Sequence, residues 1–259
     1  MRYFFHIGYY GFNYHGWQKH APHLTVQEVL EINIGKLLNT SVTILGCGRT
    51  DAQVHASQYF FHLDSEQELN DEIVFRLNKI LPEDISVFDI IPVENNSHAR
   101  FDAIQRTYDY FIHTFKDPFL NHFSCLYLDK GLNIVKMQQA LSLLTKHKDY
   151  RAFCKSPDKN ESTICNISSA GLFSDSKGDK LRIQISSNRF LRGMIRAIIA
   201  KLLKIGTGEI SVDEFENYLI SKKSLPNIEF AAPQGLYLSK VIYPFLDIPP
   251  RTNFSPSLL

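Results

Sequence analysis

The sequence predicts an α/β fold of the α+β type, with two ferredoxin-like subdomains whose mainly antiparallel sheets lie side by side and form a candidate active-site cleft between them. Three observations support this prediction. Alternating apolar and aromatic residues mark strands, and apolar residues at helical spacing mark helices. In the first part of the chain these elements follow the order β-α-β-β-α-β, which is the split βαβ pattern. The second part repeats that order with one extra helix near its end.

The first subdomain is expected to span residues 1–97. Alternation with aromatic side chains predicts a strand from Arg2 to Tyr9. Thr25-Val26-Gln27-Glu28 has the form of a capping box and predicts a helix that ends near Leu38. The other predicted elements are strands over 42–45 and 59–63, a helix over 70–79 and a strand over 85–93. The polar residues Asn95-Asn96-Ser97 indicate the boundary.

The second subdomain is expected to span residues 98–259. Ser211-Val212-Asp213-Glu214 forms a second capping box, which predicts the extra helix. A polar loop is expected from Lys155 to Glu161. The other predicted elements are strands over 106–114, 162–173, 180–187 and 236–243, and helices over 133–146 and 188–204.

Composition describes an ordinary globular protein. The chain has 259 residues, of which 44% are hydrophobic and 21% charged, so it can bury one large core or two small ones. It has no apolar run of membrane-spanning length and no signal-peptide layout. Four scattered cysteines favour a reducing cytosol, so we expect a cytoplasmic protein. The net charge is +1, so binding a polyanion requires local basic clusters or pooled basic faces in an oligomer.

The polar loop from Gly46 to Ala56 is the strongest candidate site. It lies between two predicted strands and contains Arg49-Thr50-Asp51, a carboxylate beside a guanidinium and a hydroxyl. A hydrogen-bonded turn without catalytic function is the alternative interpretation. The loop from Tyr9 to Gln18 is rich in aromatic residues and histidine. It forms either part of a small core or a stacking surface for bases.

Arginines mark a second candidate site. Arg189, Arg192 and Arg196 lie at i, i+3 and i+7 of the predicted helix and would share one face. A solvated basic face is one interpretation. The other is that one arginine faces a carboxylate while the others contact phosphate, which the small neighbours Gly193 and Ala200 favour.

A metal site is the third possibility that the residue types raise. Asp51, His55, His62 and Asp64 could act as ligands in a metal-dependent phosphodiesterase. Their spacing matches no recognised metal motif, however, and histidines that are exposed or engaged within the fold are the favoured interpretation. We therefore expect neither a metal nor a cofactor.

The segment from Gly48 to Ala56, GRTDAQVHA, resembles the signature loop of the tRNA pseudouridine synthase A family, usually written GRTDAGVHA. Asp51 stands at the position of that family's catalytic aspartate. Three positions depart from the family: Gln53 replaces a glycine, Tyr10 an aspartate and Cys165 a basic residue. The similarity runs nearly end to end, through Tyr9–Gln18, Leu77–Ile85, His98–Phe101, Arg106–Tyr110, Asn188–Arg196 and Gly235–Leu238.

The resemblance implies an isomerase that converts uridine to pseudouridine in the anticodon stem-loop of tRNA, acting as a homodimer. Asp51 would be the nucleophile or base, Arg196 its partner and Tyr108 a uracil contact. The remaining expected substrate contacts are Arg49, Thr50 and Leu236. The expected RNA backbone contacts are Arg49, Arg100, Arg189 and Arg192. A synthase with a shifted RNA target and a non-catalytic RNA-binding factor on the same fold are the alternatives.

Overall fold

The computed structural model describes residues 1–128, 131–223 and 227–251. Backbone contacts divide the chain into two compact units. Within the described residues, unit 1 comprises Met1–Gln105 and the chain from Tyr237 to Arg251, and unit 2 comprises Arg106–Leu236. The boundary expected from the sequence lay at residue 97. That expectation placed residues 98–105 and the last strand in the second subdomain, whereas the backbone contacts group them with unit 1. No helix within the described ranges is long and apolar enough to span a membrane.

The described chain contains both strands and helices. In chain order they are β1 (Arg2–Tyr9), α1 (Val26–Leu38), β2 (Leu45–Gly46), β3 (His55–Asp64), α2 (Asp71–Ile80), β4 (Ile85–Val93), β5 (Gln105–His113), β6 (Cys125–Leu126), α3 (Ile134–Leu144), β7 (Ile167–Ser174), β8 (Lys180–Ser187), α4 (Met194–Thr207), α5 (Val212–Ser221) and β9 (Leu236–Ile242). Short 3-10 helices cover Gly11–Asn13, Arg151–Phe153, Pro157–Lys159 and Pro233–Gly235.

The sheet of unit 1 has the order β4-β1-β3 with antiparallel pairing. The strand β3 has two further neighbours on its other side. β2 pairs with it antiparallel near Phe61, and β9 pairs with it parallel at His55. Stacked rings fill the core, including Phe5 on Phe61 with ring centres 4.7 Å apart. The residues that precede β3, including Asp51, are thus held at the end of a buried strand.

The strand predicted over 42–45 is reduced to Leu45–Gly46. The reason is that two side chains of α1 form hydrogen bonds with the backbone of Ile44. The amide of Ile44 donates to Glu31 Oε1 at 3.2 Å, and its carbonyl accepts from Gln27 Nε2 at 3.2 Å. These bonds replace the ladder bonds of a strand.

The sheet of unit 2 has the order β5-β8-β7 with antiparallel pairing, and β6 pairs with β5 in parallel. Helix α3 packs against β7, α4 and α5. The predicted mixed α/β class with mainly antiparallel pairing is confirmed. The extra helix is α5, whose N-cap Ser211 accepts a hydrogen bond from the amide of Glu214 at 3.0 Å.

The helix predicted over 188–204 begins later, at Met194. Asn188 instead extends the pairing beyond β7 and β8, since its amide donates to Asn166 O and its side-chain oxygen accepts from the Asn166 amide at 2.8 Å. Gly193, at φ +74°, then turns the chain into α4. The prediction that Arg189 and Arg192 share a helical face with Arg196 was therefore wrong, because both precede the helix.

Candidate active site

Asp51 begins a tight turn that leads into β3. The amide of Val54 donates to the carbonyl of Asp51 at 3.2 Å, which defines a β-turn from 51 to 54. Gln53 has φ +64°, whereas Ala52 has no positive φ, so the turn has the pattern of type II. The third position of such a turn favours glycine. The glutamine that replaces the family's glycine therefore occupies a left-handed conformation.

The backbone on both sides of Asp51 is bonded to the segment 14–17. The carbonyl of Thr50 accepts from the Trp17 amide at 3.2 Å, and the amide of Gln53 donates to Tyr14 O at 3.0 Å. Gly16 has φ +88°, and a Cβ placed there would lie 2.5 Å from Thr50 O. Only glycine fits this close approach. Asp51 itself is half-buried and therefore reachable.

The two neighbours of Asp51 that were expected to contact substrate differ in exposure. Arg49 is exposed. Thr50 is buried, and its hydroxyl shares a 2.8 Å hydrogen bond with the hydroxyl of Tyr9. Thr50 thus braces the turn from inside unit 1, while Arg49 offers its guanidinium to solvent.

Part of the aromatic loop before α1 belongs to the core, as one of its two interpretations predicts. Trp17 is buried and stacks on Tyr59 at 4.2 Å, so this part is core. In a second group of rings, Tyr10 and Tyr237 are half-buried and His55 is buried. Tyr10 stacks on His55 at 4.7 Å, and His55 stacks on Tyr237 at 4.5 Å. Tyr10, which replaces an aspartate of the family, is thereby part of an aromatic column beside the Asp51 turn.

Three of the four residues of the metal hypothesis have another role. His55 Nδ1 accepts from the Gly11 amide at 3.0 Å, and His62 Nδ1 accepts from the Ala99 amide at 3.1 Å. Asp64 forms two 2.8 Å bonds with the guanidinium of Arg2, which lowers the pKa of its carboxyl. Across residues 1–128, 131–223 and 227–251, no three His, Cys, Asp or Glu side chains are arranged to hold a metal ion. The donor set proposed for a phosphodiesterase is thus dispersed.

Arg196 lies in the first turn of α4 in unit 2 and is held by a neighbouring segment. Its Nε donates to Ala231 O at 2.6 Å, and its own carbonyl accepts from the Ala231 amide at 3.0 Å. Its guanidinium lies 5.6 Å from the ring centre of Phe230. These three contacts fix the direction of a half-buried cation.

Tyr108 lies on β5, on the same face of the strand as Tyr110. Tyr110 is buried and donates its hydroxyl hydrogen to Ala232 O at 2.9 Å, and burial raises its pKa well above the ordinary value. Tyr108 is half-buried and meets Phe190 edge to face at 5.2 Å. The ring of Tyr108 can therefore face a ligand, whereas Tyr110 is structural. Leu236, the last expected substrate contact, is buried.

The basic residues expected to contact RNA are exposed. Arg189 and Arg192 lie on the segment that precedes α4, and Arg100 lies on a turn after β4. Sequence reasoning missed Lys155, whose amide donates to Arg192 O at 3.0 Å and whose ammonium lies 5.9 Å from the Phe230 ring centre. No motif marks this lysine.

Cys165 is buried, and burial raises its pKa to about 11, so it offers no charge to a phosphate.

Comparisons with known proteins cover most of the chain. A family model described as tRNA pseudouridine synthase matches residues 7–102 and 140–244, which include Asp51 and Arg196. The chain is 38% identical over 245 residues to the protein named tRNA pseudouridine synthase A from Parabacteroides distasonis, covering 94% of this chain and 96% of that protein. The proteins of the same name from Porphyromonas gingivalis and Thermoanaerobacter pseudethanolicus are 35% and 36% identical, covering 94% and 92% of this chain and 97% of each of those proteins.

Proposed function

The chain belongs to the tRNA pseudouridine synthase family, and we propose that it isomerises uridine to pseudouridine in the anticodon stem-loop of tRNA. The observation that carries the proposal is the Asp51 turn. It presents a reachable carboxylate whose flanking backbone is bonded on both sides, within the residues that the family model matches. A carboxylate held in this way keeps its position when a nucleotide arrives.

The proposed reaction breaks the glycosidic C–N bond, turns the uracil and joins its C5 to the same sugar carbon. The hydrogen at C5 leaves as a proton, and N1 gains one, so atoms and electrons balance without an oxidant. We assign to Asp51 the role of nucleophile or base in this exchange. The target nucleotide must leave its stack to reach a carboxylate set in a turn, as in other enzymes that modify bases.

Arg196 and Tyr108 are the proposed partners of Asp51 on the same uridine. A guanidinium near a carboxylate favours its ionised form and aims it. The contacts of Arg196 with Ala231 and Phe230 support this role, because they hold the cation in one direction. The half-buried ring of Tyr108 suits stacking on the freed uracil, which must not escape before the new bond forms.

The remaining residues are proposed to bind the RNA. Arg49, Arg100, Arg189 and Arg192 are exposed cations suited to phosphate contacts, and Leu236 is proposed to shape the pocket wall. Thr50 was expected to contact the substrate. Because it is buried and bonded to Tyr9, we propose that it acts indirectly, by supporting the turn that presents Asp51. We further propose a cytoplasmic homodimer. Two copies would present two sets of arginines to one tRNA, which offsets the low net charge of each chain.

The test compares wild type with Asp51→Asn on unmodified tRNA transcripts that carry tritium at C5 of uridine. Bond formation at C5 releases tritium to water, so turnover is counted directly. We expect kcat to fall by on the order of a thousandfold or more in Asp51→Asn. Asp71→Asn, at an exposed position in the first turn of α2, is the matched control and should behave like wild type.

A chelator in all reactions separates this proposal from metal-dependent chemistry. Wild type that binds tRNA but releases no tritium would replace the proposal with the RNA-binding factor. Full activity in Asp51→Asn would remove Asp51 from the mechanism. Mapping the product positions would then show which uridines are modified and whether the target has shifted.

A further inference from the structure

Three exposed histidines lie on the hairpin-like segment between Tyr14 and Leu24, beside the Asp51 turn. His15 and His23 stack face to face, with ring centres 4.4 Å apart and an angle of 23° between the rings. His20 lies 5.2 Å from His23. All three are exposed, and none has a role in the function described above. We call His15, His20 and His23 the imidazole stack.

The backbone of the segment that carries the stack forms hydrogen bonds within the segment and with the start of α1. The His15 amide donates to Leu24 O at 2.9 Å, and the His23 amide donates to His20 O at 3.1 Å. At its base, Gly16 O accepts from the Val26 amide at 3.2 Å, which ties the segment to the start of α1. None of these three bonds uses an imidazole.

The backbone that carries the imidazole stack adjoins the Asp51 turn. Tyr14 and Gly16, the neighbours of His15, both contact the turn. Tyr14 O accepts from the Gln53 amide at 3.0 Å, and the Cβ position of Gly16 lies 3.1 Å from the carbonyl carbon of Asp51. The backbone at His15 therefore adjoins the loop that presents the proposed catalytic carboxylate.

The geometry suits a flat ring rather than a metal ion. Metal ligands point their nitrogens at one centre, whereas His15 and His23 meet through their ring faces. His20 Nδ1 is engaged with Gln18 O at 2.8 Å. Exposed stacked imidazoles can extend their stack onto an unpaired base, and their nitrogens can donate to or accept from its edge.

We propose that the imidazole stack binds an unpaired nucleotide that flanks the target uridine in the RNA substrate. The inference rests on the proposed function and adds a recognition site to it. A base flipped towards Asp51 leaves its neighbours unstacked. A ring stack on backbone that adjoins the turn replaces the stacking that the neighbour loses, and so contributes to substrate binding and not to the chemical step.

The experiment measures kcat, KM and tRNA affinity for three variants beside wild type, with chelator present. His15→Ala/His23→Ala removes the stack. His15→Tyr/His23→Tyr keeps two aromatic rings. His122→Ala removes an exposed histidine of unit 2 and is the control. We expect the alanine pair to raise KM and the dissociation constant about tenfold, or about 1.4 kcal/mol, with kcat within about twofold of wild type.

The tyrosine pair should bind tRNA nearly as well as wild type, because stacking needs a ring and not an imidazole. Unchanged affinity in the alanine pair, or a tyrosine pair as weak as the alanine pair, would overturn the inference. Failure of the proposed function looks different. Wild type would then release no tritium, while the loss of tRNA affinity in the alanine pair would still support the stack as an RNA contact.

Discussion

Gln53 shows how a single residue can fit a family's loop without sharing its preferred amino acid. Its φ of +64° lies in the left-handed region, which costs a side-chain-bearing residue about 1 kcal/mol. The turn tolerates this strain because its ends are bonded to Tyr14 and Trp17. The position of Asp51 is thus maintained by the surroundings of the turn and not by the residue in its third position.

Gln53→Gly should therefore stabilise the protein. Relief of left-handed strain outweighs the greater freedom of glycine in the unfolded chain, and we expect a gain of about 0.5 kcal/mol. Calorimetry should show a rise in Tm of about 1–2 °C. Gln139→Gly, at an exposed position inside α3, is the control and should lower stability by about 1 kcal/mol. A lower Tm for Gln53→Gly would contradict the strain argument.

At the level of a single helix, Gly193 determines where α4 begins. Gly193 has φ +74°, and a Cβ there would lie 2.6 Å from the ring edge of Phe230. Phe230 in turn lies beside the guanidinium of Arg196. The first turn of the helix, the ring and the cation are therefore coupled through a position where a side chain would displace the ring.

Two glycines at the ends of α4 test this coupling. Gly208 has φ +83°, and its Cβ position meets nothing within 4 Å. Gly208→Ala should cost only backbone strain, about 1 kcal/mol. Gly193→Ala should cost more, because it also displaces Phe230, and it should lower kcat by moving Arg196. Urea unfolding and the tritium assay measure both effects. Equal costs for the two variants would show that the Phe230 contact is unimportant.

Histidines with lowered pKa values make the stability of the whole molecule depend on pH. Burial lowers the pKa of His6, His62 and His98 in unit 1 and of His113 in unit 2, and that of His62 falls to about 4. His62 Nδ1 accepts a hydrogen bond from the Ala99 amide. Protonation would place two donors against each other, so the folded state keeps this ring neutral.

We expect the free energy of unfolding to fall as pH falls from about 6.5 towards 4. Unfolded histidines bind protons below about pH 6.5, whereas folded His62 binds one only near pH 4. The unfolded state thus binds more protons in this window and is favoured by acid. Urea titrations at several pH values measure the slope. His62→Asn keeps an acceptor but does not titrate here, so its slope should be shallower. An unchanged slope would exclude His62 as a source.

Much of the fold could be predicted because its signals are local. Thr25 was identified as a helix cap from its spacing to Glu28, and its hydroxyl does accept the Glu28 amide at 3.4 Å. The strand limits of β1 and β4 follow from alternation in the same way. The candidate site was found through Asp51, because its loop has a distinctive order of residues. Lys155 was missed, since its place depends on a bond to Arg192 from far along the chain.

By itself the sequence determined the order of the elements, the mixed α/β class and the family to which the chain belongs. These properties depend on neighbouring residues, on caps and on short motifs. Only the tertiary structure decided that Ile44 leaves its strand for Glu31, that Trp17 is core while His15 is exposed, and that α4 begins after Arg192. Each of these outcomes depends on which distant group satisfies a backbone amide or covers a ring, and that competition has no local signature.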